Sequence, residues 1–179
     1  MPNYRRLFVN GGTWFFTVNL LDREATYLVD HMAALEAAVA DTRRRVPFDL
    51  AAWVVLPDHI HAIWSLPPGD CDFPGRWRRI KKQFSKSLPA IEPRHASLIA
   101  RGERGIWQRR YWEHLIRDEK DYDVHVRYCY FNPVKHGHVA RVEDWPHSTF
   151  HRDLGSGFIP TDWSIIGDQD GDFGERPTT

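Results

Sequence analysis

Cysteine is scarce in this chain. Cys71 and Cys129 are its only two in 179 residues, with no CxxC pair, so a disulfide framework is not expected and a reducing cytoplasm is the expected setting. Long apolar runs are missing as well: no stretch approaches the roughly 20 residues needed to cross a bilayer. Met1-Pro2-Asn3-Tyr4-Arg5-Arg6 is not followed by the apolar core of a signal peptide, so a soluble, unexported protein with no membrane partner is expected. Net charge is absent too, with 24 Lys+Arg against 24 Asp+Glu, which excludes an indiscriminate polycation. The layout is uneven, however. Residues 71–140 carry fifteen basic against eight acidic side chains, and residues 141–179 three against eight. What abounds is aromatic: eight Trp and ten Phe exceed the needs of a minimal core, and the surplus can pack or stack on bases.

A chain of 21.0 kDa suits one domain, expected over 1–165. Residues 166–179, with Asp168, Asp170, Asp172 and Glu175 and little to bury, are expected to form an acidic, mobile tail. No internal repeat is evident. Thr13 to Leu20 is aromatic and β-branched and short enough for a strand. Asp30 is placed to cap a helix over His31 to Arg45, which Pro47 stops. Leu50 to Leu56 is continuously apolar, as in a central strand, and Pro57-Asp58 turns into a second run, His59 to Leu66, that alternates. Trp77, Ile80, Phe84 and Leu88 lie on one face of a further helix. Pro89 to Gly105 reads as loop, Ile106 to Ile116 as a fourth strand or hairpin, and Glu119 to Asn132 as a helix ending at Pro133. This order predicts an α+β fold: a ferredoxin-like, split βαβ antiparallel sheet with helices on one face and an additional C-terminal helix.

Side chains two apart on a strand share a face, so His59 and His61 project together, able to grip one cation, while Ile60 points away. His136-Gly137-His138 has the same spacing but follows Asn-Pro at a helix end, with Gly as C-terminal punctuation, and reads as structural. On the last helix Tyr122, Val126, Cys129, Tyr130 and Pro133 make an apolar stripe, and Tyr128 projects nearly opposite, off that stripe but flanked by Val124 and Phe131, on a side expected to be covered by the sheet or by a ligand. Asn132, one turn on, shares its side, presenting a hydroxyl and an amide oxygen together. Arg76, Arg78, Arg79, Lys81, Lys82 and Lys86 come with no acid between Phe73 and Ile91. Such a face suits phosphate contacts, with Trp77 for base stacking, and Arg109 and Arg110 add cations among aromatics.

Several ordered motifs carry a resemblance over Tyr4 to about Trp163. They are Gly11-Gly12-Thr13-Trp14-Phe15-Phe16-Thr17-Val18, Val55-Leu56-Pro57-Asp58-His59-Ile60-His61, Trp107 through His114, Tyr128 through Gly137, and Asp144-Trp145-Pro146-His147-Ser148. The chain resembles the REP-associated tyrosine transposases, single-tyrosine members of the HUH nuclease superfamily. The resemblance implies a ferredoxin-like fold, Mg²⁺ or Mn²⁺ on His59 and His61, and Tyr128 as a nucleophile that cleaves single-stranded DNA to leave a 5′-phosphotyrosine. Insertion-sequence relatives carry a glutamine one turn after the tyrosine as third ligand; here Asn132, one methylene shorter, takes that position.

The expected activity is therefore strand cleavage and joining on single-stranded or hairpin-forming repeat DNA, by a monomer or homodimer. Two other classes fit parts of the sequence. A non-catalytic nucleic-acid-binding module would use the aromatics and cations without metal. A phosphoesterase using water would need His59 and His61 but form no covalent intermediate. Glu113 and His114, in a family-like stretch, receive no role from sequence.

Overall fold

Alternating side chains on four short strands build this molecule around one sheet with two differently covered faces. The computed structural model describes residues 7–90, 96–160 and 163; the acidic tail expected at 166–179 lies outside them. In chain order the elements are β1 (Thr13–Asn19), α1 (Tyr27–Asp30), α2 (Met32–Arg45), β2 (Asp49–Val55), β3 (His59–Ser65), α3 (Phe73–Ser87), α4 (Ala96–Ile99), β4 (Trp112–Leu115), α5 (Glu119–Lys135), a 3₁₀ turn over Val142–Asp144, and α6 (Phe150–Gly155). The strands pair antiparallel in the order β2-β3-β1-β4, the expected ferredoxin-like arrangement. Asp30 does not cap α2: His31 occupies that position, and the Asp30 carboxylate accepts from Thr26 Oγ1 at 2.6 Å. Among the described residues no helix is long and apolar enough to cross a membrane.

One sheet face presents Trp14, Phe16, Val18, Ile60, Ala62 and Trp64 to α2 and α3. The other presents Phe15, Ala52, Val54 and Ile63 to α5. The first core is an aromatic stack in which Trp77 lies on Trp64 with centroids 4.6 Å apart and planes 28° apart. That placement overturns the stacking role expected for Trp77: its ring is wholly buried and cannot meet a base.

Arg76 also departs from expectation. Its guanidinium is 2% exposed and donates to Asp70 Oδ2 at 2.6 Å, Pro47 O at 2.6 Å and Asp72 O at 3.0 Å, tying the start of α3 to two preceding loops. A sequence of like charges cannot reveal which one turns inward, because burial of a cation depends on acceptors supplied by distant segments. Arg76→Ala is expected to lower stability by about 2 to 4 kcal/mol, since it strips a buried network of its donor, while leaving DNA affinity nearly unchanged. Denaturant melts paired with a binding titration check this.

Helix α5 begins at Asp118, whose carboxylate accepts from Asp121 N at 2.8 Å. It does not stop at Pro133 but runs through to Lys135. Proline so near the end removes only one backbone donor from the last turn, and termination falls to Gly137 at φ +71°. The C-terminal segment covers the far side of α5, with Trp163 5.4 Å from Phe131 and Tyr130 Oη on Thr149 Oγ1 at 3.0 Å and on Asp153.

Asp121 ties α5 to β4. Its carboxylate accepts from His114 Nε2 at 2.9 Å, Arg117 Nε at 3.0 Å and Arg117 N at 3.0 Å. Burial by itself would raise this carboxyl; hydrogen bonds from His114 and Arg117 outweigh it and hold the group at about 2. A carboxyl held low in the fold contributes stability above its unfolded value of 3.8, and that contribution is lost as pH falls from about 4 to about 2. Asp121→Asn should therefore melt lower at pH 7 and decline less over that acid interval, measured as Tm against pH.

Candidate active site

The pairing of β1 with β3 sets Thr17 opposite His61 and Asn19 opposite His59, on the face covered by α5. His59 and His61 are 1% and 0% exposed, and their rings lie 4.9 Å apart. Each ring is held through Nδ1. His59 Nδ1 lies 2.7 Å from Asp58 Oδ1, and His61 Nδ1 lies 3.0 Å from Thr17 Oγ1. Asp58 is in turn gripped by Arg23 Nε at 2.6 Å. Burial pushes the Asp58 carboxyl up, but the His59 hydrogen bond and the charges of His59 and Arg23 hold it below the ordinary range. An ionised carboxylate only accepts, so His59 Nδ1 donates to it and Nε2 is the nitrogen turned toward α5.

His59 Nε2 lies 3.2 Å from Asn132 Oδ1. An imidazole nitrogen and an amide oxygen therefore converge inside the protein, both of them atoms that can ligate a cation. His59, His61 and Asn132 thus form a donor set able to hold a divalent ion, with carboxylate and hydroxyl supports behind both imidazoles.

Tyr128 meets this set as a buried residue, 1% exposed: it is off the apolar stripe, and of the two coverings expected for its side of α5, sheet or ligand, the structure shows the sheet. A helical wheel finds the one apolar stripe; α5 is covered on both sides, so the opposite side is buried as well. The Tyr128 ring stands 5.1 Å from His61 at 75° and 5.9 Å from Phe15 at 71°, both edge-on. Lys135 Nζ donates to Tyr128 Oη at 3.3 Å and sits 4.6 Å from the ring centroid. Tyr130, two residues on, is excluded as the reactive phenol. Burial and the Asp153 hydrogen bond push its pKa far up, and its hydroxyl is committed to Asp153 and Thr149.

Sequence reading missed four neighbours of this site. Asp58 reads as a turn residue, although a carboxylate beside a metal-type histidine is itself a signal. Thr17 is identified only by strand register. Lys135 lies beyond Pro133, the expected end of the helix. His136, read as structural, brings its ring within 5.1 Å of the His59 ring.

The basic residues occupy the opposite sheet face. Arg78, Lys82 and Lys86 are exposed on α3, Arg79 is half-buried, and Lys81 Nζ sits 5.4 Å from the Trp107 ring and 5.1 Å from the Tyr111 ring. Arg78, Lys81, Lys82 and Lys86, together with residues 102–109 and Tyr111, line a cavity of about 650 Å³. Arg109 is exposed and paired with Glu103 at 2.7 Å, and Arg110 is exposed. None of these cations adjoins His59, His61 or Tyr128.

A ferredoxin-like sheet whose central strand offers paired histidines to a helix-borne tyrosine defines the single-tyrosine HUH class. No protein-family model matches the chain. It is 52% identical over 164 residues to the REP-associated tyrosine transposase of Escherichia coli, covering 92% of each chain. It is 47% identical over 164 residues to a putative REP-associated tyrosine transposase of Haemophilus influenzae, covering 91% of this chain and 93% of that one. A solved structure of the REP-associated tyrosine transposase bound to a REP hairpin superposes with a TM-score of 0.85 at 50% identity, over 100% of both chains. The chain belongs to the REP-associated tyrosine transposases.

Proposed function

We propose that this transposase cleaves and rejoins single-stranded DNA beside hairpin-forming repeats, acting in the cytoplasm, with Tyr128 as the nucleophile. The observation that carries the reading is the meeting of Tyr128 with His61, 5.1 Å ring to ring, across the sheet-helix interface. Tyr128 Oη attacks phosphorus, the bond from phosphorus to the 3′-oxygen breaks, and that oxygen leaves as a 3′-hydroxyl after taking up a proton. The phenolic proton is released, and one phosphate ester replaces another, so rejoining needs no ATP. A free phenol, with pKa near 10, is a weak nucleophile at neutral pH. The Lys135 ammonium, donating to Oη at 3.3 Å, places a positive charge beside the attacking oxygen. As the exposed group over that oxygen, it has to move aside or pair with the entering phosphate.

His59 and His61, with Asn132 as third ligand, would hold Mg²⁺ or Mn²⁺. When bound, such an ion polarises the scissile phosphate and offsets its growing charge. Asp58 and Thr17 orient the two imidazoles. Incubation with Mn²⁺ and a labelled repeat hairpin carrying a single-stranded flank is expected to yield a covalent protein-DNA band on denaturing gels. Turnover without that band would mean that water is the nucleophile. Binding insensitive to chelator, with no strand cut, would leave only a nucleic-acid-binding module.

Arg78, Arg79, Lys81, Lys82, Lys86, Arg109 and Arg110 would hold the DNA backbone. Replacing Lys82 and Lys86 by Ala should weaken binding to all sequences alike and reduce the slope of log K against log salt by about one for each phosphate that is no longer neutralised. A fluorescence titration at several salt concentrations measures it.

A further inference from the structure

At the base of the nucleophile helix lies a second group of metal-type donors that sequence and activity leave without a role. Asp121 and His125 are one turn apart on α5, and His114 comes from β4. His114 Nε2 lies 2.9 Å from Asp121 Oδ2, and His125 Nδ1 lies 3.2 Å from Asp121 Oδ1. One donor atom from each residue falls within 4.8 Å of the others. The two imidazoles stack at 4.5 Å with planes 15° apart, both turned toward the same carboxylate. His125 is 2% exposed, while the His114 side chain is 25% exposed and opens the group to solvent.

We infer that His114, Asp121 and His125 form a second divalent-cation site, separate from the His59 and His61 pair and suited to a borderline ion such as Zn²⁺. Two imidazoles and one carboxylate are a zinc-type donor set, with water as the fourth ligand, whereas Mg²⁺ prefers oxygen. The ionised Asp121 supplies negative charge, and Arg117, its competing cation, has a side chain 71% exposed that is able to swing into solvent. His125 Nδ1 also bonds Asp121 O at 2.7 Å, so a cation on that nitrogen displaces a proton and this bond. The site shares no ligand with the other set. The Phe15 ring joins them, 4.8 Å from His125, 5.5 Å from His61 and 5.9 Å from Tyr128. An ion here fastens β4 to α5 one turn before Tyr128 and so fixes the helix that carries the nucleophile.

The test uses the full chain carrying His59→Ala and His61→Ala, stripped with chelator and titrated with Co²⁺ and Zn²⁺. One equivalent is expected to bind, with visible Co²⁺ absorption of a four- or five-coordinate site, displacement by Zn²⁺ and a rise in Tm. Adding His114→Ala removes one ligand together with one hydrogen bond to Asp121, so it should lower the metal-free Tm modestly, weaken binding at least tenfold and shrink the metal-induced rise in Tm. Absence of an ion in the double variant, or binding indifferent to His114→Ala, overturns the assignment and leaves a hydrogen-bonded network only. Because the readout is stoichiometry in a variant lacking the other histidines, its failure is distinct from failure to form a DNA adduct.

Discussion

Tyr128→Phe is expected to eliminate the covalent DNA adduct, reducing its formation by at least about 10³-fold, the scale on which loss of a nucleophile removes chemistry. The ring remains, so its edge contacts with His61 and Phe15 persist, and only the hydroxyl beside Lys135 disappears. Hairpin affinity should stay within about twofold, because the cations proposed to hold DNA are on the other sheet face. Gel-resolved adduct yield alongside equilibrium binding separates the two quantities. An adduct that persists in Tyr128→Phe reassigns the nucleophile. Tyr130 is then a poor substitute, since its hydroxyl is spent on Asp153 and Thr149.

The second large effect is expected from His59→Ala, which should cut metal-dependent cleavage by at least about 10²-fold, exceeding the 10- to 100-fold typical of residues that only support a ligand. Asp58→Asn should fall within that supporting range, because it removes the carboxylate that fixes Nδ1 but leaves the Nε2 and Asn132 Oδ1 pair in place. Ordering of the two losses is the discriminating feature. Adduct rates measured over a Mn²⁺ titration give it, and excess Mn²⁺ should rescue Asp58→Asn more fully than His59→Ala. Wild-type rates in His59→Ala would remove the histidine pair from the chemistry.

The sheet was legible because its strands follow simple alternation: Ile60, Ala62 and Trp64 on one side of β3, His59, His61 and Ile63 on the other. The histidine pair and Tyr128 were found by the same logic, since side chains that share a face are fixed by local geometry. What local geometry does not contain is which segment covers that face. The Tyr128 side of α5 is buried because β1 and β3 lie beneath it, and Arg76 is internal because Pro47 and Asp70 supply acceptors from elsewhere in the chain. The passage of α5 through Pro133 was hidden for a different reason. Proline's cost falls steeply at a helix end, and only the position of Gly137 fixes where that end is. His114, Asp121 and His125 were invisible as a group because the turn between β4 and α5 folds a strand residue against a helix face.

The sheet itself acts as a partition. Under the proposed assignment of grip to one side and reaction to the other, tightness of hold and speed of cutting become separately adjustable quantities. Relatives that bind hairpins firmly yet cut slowly, or the reverse, are reachable by substitutions on a single side, without rebuilding the opposite one.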